Sequence, residues 1–148
     1  MRGKRIFVPR PTRFVSFFTG LHELGHILSG HRGGDGKPEY VWEFEAFTWA
    51  FQFCRDRNIP VARKTINNER NIIAEKLRDE AESGAKRLDP VVIKFVKEGE
   101  GKDPDVEFVK KYVANDGRVL SIVLMIKKSE STTSQGRRAL PHSSRDRA

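Results

Sequence analysis

Two histidines and the glutamate between them are the residues of this chain with the most specific chemistry. The stretch His22-Glu23-Leu24-Gly25-His26 contains the pattern H-E-x-x-H. On a helix, residues i and i+4 lie one turn apart on one face, so the imidazoles of His22 and His26 can share one metal ion. Glu23 projects near the same point, where its carboxylate can take a proton from a water on the metal. The motif therefore predicts a zinc site with two nitrogen ligands and a general base.

The residues around this motif predict the helix that must carry it. Apolar side chains recur at spacings of three and four, which indicates a buried helix over about residues 13–29; they are Phe14, Phe17, Phe18, Leu21, Leu24 and Leu28. Thr12 is the expected N-cap, and Ser29-Gly30 the expected stop. Gly25 lies between the two histidines, where a bulky side chain could crowd the metal site.

A third histidine follows in a glycine-rich loop, residues 30–38. The metzincin pattern H-E-x-x-H-x-x-G-x-x-H would require glycine at position 29 and histidine at position 32, but the chain has Ser29 and Arg32 there. We therefore do not assign His31 as a ligand, and expect it to be exposed to solvent in the loop.

The next segment, residues 39–57, is predicted to be a second helix and to supply the third metal ligand. It contains seven of the fourteen aromatic residues of the chain, so most of its surface should be buried. Glu45, Thr48 and Gln52 form one polar stripe on it, and a carboxylate in such surroundings requires a cation or a metal. Glu45 is therefore the predicted ligand. Glu43 is the competing candidate, although its neighbours one turn on are apolar.

Taken together, the two segments resemble the ImmA/IrrE-like zinc metallopeptidases. That family combines H-E-L-G-H, a short loop and a helix of the type E-A-x-x-F-A, which here corresponds to the stretch of the second helix that starts Glu45-Ala46-Phe47. The resemblance covers about residues 14–54. It implies that His22, His26 and Glu45 bind zinc and that Glu23 is the catalytic base. It also implies a phage, mobile-element or stress-regulation context, with a transcriptional repressor as the usual protein substrate.

The remainder of the chain is predicted to be a helical extension, residues 67–128. A charged third helix is expected over residues 67–83, and Asp89-Pro90 and Asp103-Pro104 should each begin a shorter helix, the last ending near Gly117. Residues 118–128 fit a helix by the spacing of their apolar residues and a hairpin strand by their β-branched content. We favour the helix.

Composition sets the class of protein. With 148 residues, 37% hydrophobic and 32% charged, the chain is expected to be one soluble domain over residues 1–128, followed by a disordered Ser- and Arg-rich tail, residues 129–148. One cysteine, Cys54, excludes an internal disulfide and a Cys-rich zinc site. No membrane span or signal peptide is expected, which favours the cytoplasm. The net charge of +8 is concentrated at the two ends, which could contact nucleic acid or an acidic partner, or simply be solvated.

The sequence thus predicts a mainly α fold with minor β structure. Its motif core, residues 12–57, would be zincin-like, with the H-E-x-x-H helix packed on the aromatic-rich second helix. The predicted function is hydrolysis of a peptide bond in a protein substrate by a zinc-activated water. The alternative is a regulatory binding module with a structural or degenerate metal site that binds DNA or a protein.

The tail provides a first prediction. Because residues 129–148 have no apolar periodicity, truncation after Lys128 should leave the melting temperature nearly unchanged. Thermal unfolding followed by circular dichroism checks this, and a fall of many degrees would show that the tail packs on the domain.

Overall fold

Five α-helices make up most of the part of the chain that the structure describes. The structure is a computed structural model, and it describes residues 13–31 and 36–121. In chain order the helices are α1 (Phe14–Leu28), α2 (Glu39–Asp56), α3 (Arg63–Glu82), α4 (Pro90–Lys97) and α5 (Pro104–Tyr112). The predicted mainly α class is confirmed at this level.

The two short helices begin where the sequence predicts. Asp89 caps α4, where its carboxylate accepts a hydrogen bond from the backbone N–H of Val91, and Asp103 caps α5 in the same way. A proline follows each aspartate at the first helical position, where its missing N–H has no helical acceptor to lose. Local capping chemistry is therefore sufficient to place both helix starts.

The longer helices deviate from their predicted limits. The cap of α1 is Arg13, which makes no side-chain capping bond, whereas the expected cap Thr12 lies outside the described residues. Helix α3 begins at Arg63, four residues before the predicted start at position 67. Its first turn has no capping side-chain bond, so the sequence offered no local signal for it.

The predicted helix over residues 118–128 is wrong for its first residues. Helix α5 ends at Tyr112, and a turn then brings Val119 back beside Val113 in an antiparallel bridge. Gly117 has a φ of +90°, and a Cβ there would collide with the carbonyl oxygen of Leu88. Residues 118–120 therefore follow the alternative prediction, an extended strand after a hairpin turn. Residues 122–128 of that segment and the predicted tail (residues 129–148) lie outside the described residues.

The helices pack in sequence around one apolar core. Helix α1 packs on α2, α2 packs on α3, and α3 is covered by α4 and α5. The fully buried large side chains are contributed by all five helices; they are Phe18, Cys54, Ile73, Leu77, Val92, Ile93, Val96 and Val109. In the part of the chain that the structure describes, no helix is long and apolar enough to cross a membrane.

The backbones of α1 and α2 come into direct contact at one point. A Cβ added to Gly25 would lie 2.7 Å from the carbonyl oxygen of Ala46 and 3.0 Å from its Cα. Only a residue without a side chain fits there. Gly25 is thus required for the approach of the second helix, which is a different reason from the crowding of a metal that the sequence predicts. The contact places the histidines, which flank Gly25 on α1, against the first half of α2.

Replacing Gly25 with alanine tests this contact. Helix propensity alone favours alanine by about 1 kcal/mol. We expect the reverse, a loss of about 1–3 kcal/mol in the free energy of unfolding, because the added methyl group must separate two backbones. Denaturant unfolding of Gly25→Ala measures this. Ser16→Ala, at an exposed position of α1, is the control and should not destabilise the protein. Equal stability of the two variants would contradict the close contact.

Candidate metal centre

Three side chains from α1 and α2 point their ligand atoms at one another. Nε2 of His22 lies 3.0 Å from Nε2 of His26 and 3.0 Å from Oε2 of Glu43. The third separation, from His26 Nε2 to Glu43 Oε2, is 3.6 Å. The predicted pairing of the two histidines is therefore seen, and the group of His22, His26 and Glu43 could hold a metal ion.

The spacing of these three atoms suits a small tetrahedral ion. In a zinc site with ligand bonds of about 2.0–2.1 Å, neighbouring ligand atoms lie about 3.3 Å apart. The observed separations of 3.0, 3.0 and 3.6 Å surround that value. Two imidazole nitrogens and one carboxylate oxygen are also a common catalytic zinc donor set. The residues present therefore fit a zinc ion on both geometry and chemistry.

The position of Glu43 follows from the buried face of α2. Counting along the helix, Ala46, Phe47, Ala50 and Cys54 lie three, four, seven and eleven residues after Glu43, and all four are buried. Glu43 therefore lies on the stripe that faces α1 and α3. Its side chain is only 18% exposed, which is consistent with a carboxylate held by its neighbours in place of water.

Glu45, the predicted third ligand, is directed elsewhere. Its carboxylate accepts a hydrogen bond from Lys37 and lies 2.7 Å from Nε2 of His31. The polar stripe that suggested Glu45 is the exposed face of α2, because Thr48 and Gln52 are both exposed. Two residues apart on a helix, Glu43 and Glu45 point about 200° away from each other, so only one can face the histidine pair. In the structure that residue is Glu43.

The expectation that His31 is a solvent-exposed loop histidine is wrong. Its side chain is 3% exposed and stacks on the ring of Trp42. Nδ1 of His31 lies 2.9 Å from Nδ1 of His26. The other ring nitrogen of His26, Nε2, is the one that faces Glu43. His31 therefore lies between His26 and Glu45. The predicted ligand Glu45 contacts the site through His31.

A buried carboxylate from α3 completes the surroundings of His22. Oε2 of Glu69 lies 2.9 Å from Nδ1 of His22, close enough for an ion pair, although the angles are poor for a hydrogen bond. Glu69 is 8% exposed and thus one of the few buried charged residues in the described part of the chain. Both nitrogens of His22 consequently face a carboxylate.

These contacts set the ionisation of the ligands in the metal-free protein. Burial lowers the pKa of His22, but the contacts with Glu43 and Glu69 outweigh it and raise the pKa to about 9. Burial also tends to raise the pKa of Glu43, but the hydrogen bond from His22 and the nearby positive charges lower it overall. For His26, burial is the main cause of a lowered pKa. At neutral pH the imidazole of His22 is therefore protonated on both nitrogens in the metal-free protein, and a metal that binds Nε2 must displace the proton there.

The side chains of the centre differ in their exposure to solvent. The side chain of His22 is 8% exposed, whereas that of His26 is 21% exposed. Glu23 is exposed, and its charge is close enough to act on His26. Three protein ligands with an accessible side are typical of a catalytic zinc site, since a structural site is closed by a fourth protein ligand.

Comparison with known proteins provides no relative for this arrangement. No protein-family model matches the chain, and no curated protein or solved structure matches it.

The sequence interpretation missed two residues of the site, Glu69 and His31. A signal for Glu69 exists, because it lies one turn before Ile73 and two turns before Leu77, in line with the buried stripe of α3. Glu43 stands in the same relation to the buried stripe of α2. A carboxylate in line with an apolar stripe was therefore the more informative pattern. No comparable signal marks His31, whose side chain stacks on Trp42 of α2.

Zinc titration of two variants tests the assignment of the third ligand. The purified protein, stripped of metal, should bind about one zinc ion per chain. Glu43→Ala should weaken that affinity more than about 100-fold, beyond the range typical of residues outside the ligand set. Glu45→Ala should weaken it less than about 10-fold, because Glu45 touches the site only through His31. Competition with a chromophoric chelator measures both affinities. Each variant is the matched control for the other, and the reverse ranking would return the assignment to Glu45.

Proposed function

We propose that this protein is a zinc-dependent peptide hydrolase in which His22, His26 and Glu43 hold the metal and Glu23 is the general base. The observation that carries the proposal is the convergence of Nε2, Nε2 and Oε2 within 3.0–3.6 Å of one another, beside an exposed glutamate. Each of these residues has a separate task in the proposed reaction.

The metal ligands provide an electrophilic centre. His22, His26 and Glu43 would hold the zinc ion, which when bound would lower the pKa of a water towards about 7 and polarise a carbonyl group. His22 is held rigidly by its burial. His26 and Glu43 line the more exposed side, so a substrate carbonyl can approach from that direction.

Glu23 is suited to move protons at this side of the centre. It follows His22 directly on α1 and, unlike Glu43, is exposed, so its carboxylate is free to reorient. In the proposed reaction it takes a proton from the attacking water and hands it to the leaving amine. The carboxylate returns to its starting ionisation at the end of the cycle, as a catalyst must.

The class of substrate rests on the resemblance to the ImmA/IrrE-like metallopeptidases. The shared H-E-L-G-H and the following aromatic-rich helix support peptide hydrolysis, and they support a transcriptional repressor as the substrate. The chain differs from the expected ligand pattern in one respect, because the geometry favours Glu43 over Glu45. The ligand type and the base are the same in either case.

Replacing Glu23 with glutamine tests the proposal directly. The change retains the metal ligands and removes the base, so zinc should still bind one per chain while hydrolysis falls about 100- to 10,000-fold. Cleavage of a library of internally quenched peptides by the zinc-loaded full chain provides the readout. Removal of zinc by a chelator should abolish cleavage, and added zinc should restore it.

The matched control is Glu75→Gln, an exposed glutamate on α3 outside the site, which should leave cleavage unchanged. Cleavage that survives Glu23→Gln or chelation would contradict the proposal. A chain that binds zinc but cleaves none of the peptides would instead favour a regulatory binding module.

A further inference from the structure

The nitrogen of His22 that faces away from Glu43 has a partner of its own. Nδ1 of His22 lies 2.9 Å from Oε2 of Glu69, which is carried by α3. The two side chains are 8% and 10% exposed, so water does not compensate this contact. Helix α3 thus reaches the candidate metal centre through one side chain, although α1 packs mainly on α2.

Burial of the Glu69 carboxylate reduces the stability of the fold unless a partner compensates it. A buried carboxylate loses its hydration and must regain that energy from a cation or a hydrogen-bond donor. Oε2 of Glu69 and Nδ1 of His22 are both fully buried, and neither has a hydrogen-bond partner of good geometry among the described residues. The contact between these two atoms is therefore the compensation that the structure provides for each.

Metal binding explains the need for a carboxylate at this point. A neutral imidazole that binds a metal through Nε2 carries its proton on Nδ1. An acceptor facing Nδ1 selects that tautomer, holds the ring plane, and makes Nε2 a stronger ligand. We propose that Glu69 is the positioning residue that directs Nε2 of His22 towards the metal. This inference rests on the proposed metal centre and extends it to a third helix.

The surroundings of His26 provide an internal comparison. Its Nδ1 faces Nδ1 of His31, and Nε2 of His31 faces the carboxylate of Glu45. If His26 binds the metal through Nε2, its Nδ1–H donates to His31, which in turn donates from Nε2 to Glu45. Each metal-binding histidine then has an acceptor behind it, and the one behind His22 is a carboxylate in direct contact.

The proposal is tested with three variants of the full chain. Glu69→Leu removes the acceptor and should weaken zinc affinity about 10- to 100-fold. Glu69→Gln keeps the shape and an acceptor oxygen but removes the charge, so it should lie between Glu69→Leu and the unsubstituted protein. Glu69→Asp restores the charge and should recover part of the loss. Zinc affinity is measured by competition with a chromophoric chelator, and Glu75→Gln on the same helix is the control.

A second readout separates positioning from a general effect on folding. Cobalt(II) replaces zinc in the unsubstituted protein and in each variant, and its visible absorption bands report the geometry of the ligands. Glu69→Gln should change the intensity or position of those bands while the near-ultraviolet circular dichroism of the protein stays the same. Glu75→Gln should change neither.

The outcomes also distinguish this inference from the proposed function. Unchanged zinc affinity and unchanged cobalt bands in both Glu69→Leu and Glu69→Gln would overturn the role of Glu69. A protein that binds zinc but hydrolyses no peptide would overturn the function while leaving the role of Glu69 in metal binding supported or refuted by its own data. Absence of zinc binding by the unsubstituted protein would overturn both.

Discussion

The contact between the backbones of Gly25 and Ala46 is the constraint on which the candidate site depends. A side chain at position 25 would lie 2.7 Å from a carbonyl oxygen, so the helices can approach this closely only at a glycine. The histidines lie one residue after and three residues before that point of contact, and Glu43 lies one turn before Ala46. The crossing of α1 and α2 therefore determines which residues of the second helix face the histidine pair. The short distances from Glu43 to the two histidines are a consequence of this crossing.

Around this crossing, charge is buried in a connected arrangement. His22 lies between the carboxylates of Glu43 and Glu69, and His26 lies between Glu43 and His31. Buried ionisable groups reduce stability unless each has a partner of opposite charge or a hydrogen bond. A group of this kind in an otherwise apolar core could hold a metal ion, and it is not expected to stabilise the fold by itself.

The second half of the described chain serves the site indirectly. Helices α4 and α5 bury valine and isoleucine side chains against α3. After α5, the carbonyl of Gly117 accepts a hydrogen bond from the backbone N–H of Leu88, just before α4. This apolar layer packs against α3. Since α3 carries Glu69, the position of that carboxylate depends on packing that is distant from the metal ligands in the sequence.

The sequence by itself determined the features that depend on residues close together in the chain. The spacing of His22 and His26 on one helical face, the glycine stop after α1, and the aspartate caps of α4 and α5 all follow from local geometry. Only the tertiary structure decided between Glu43 and Glu45, because that choice depends on which face of α2 packs against α1. It also decided the burial of His31 and the contact of Glu69 with His22, since both join segments that are not neighbours in the sequence. Periodicity shows that a helix has a buried face, but the partner of that face is selected by the packing of the whole chain.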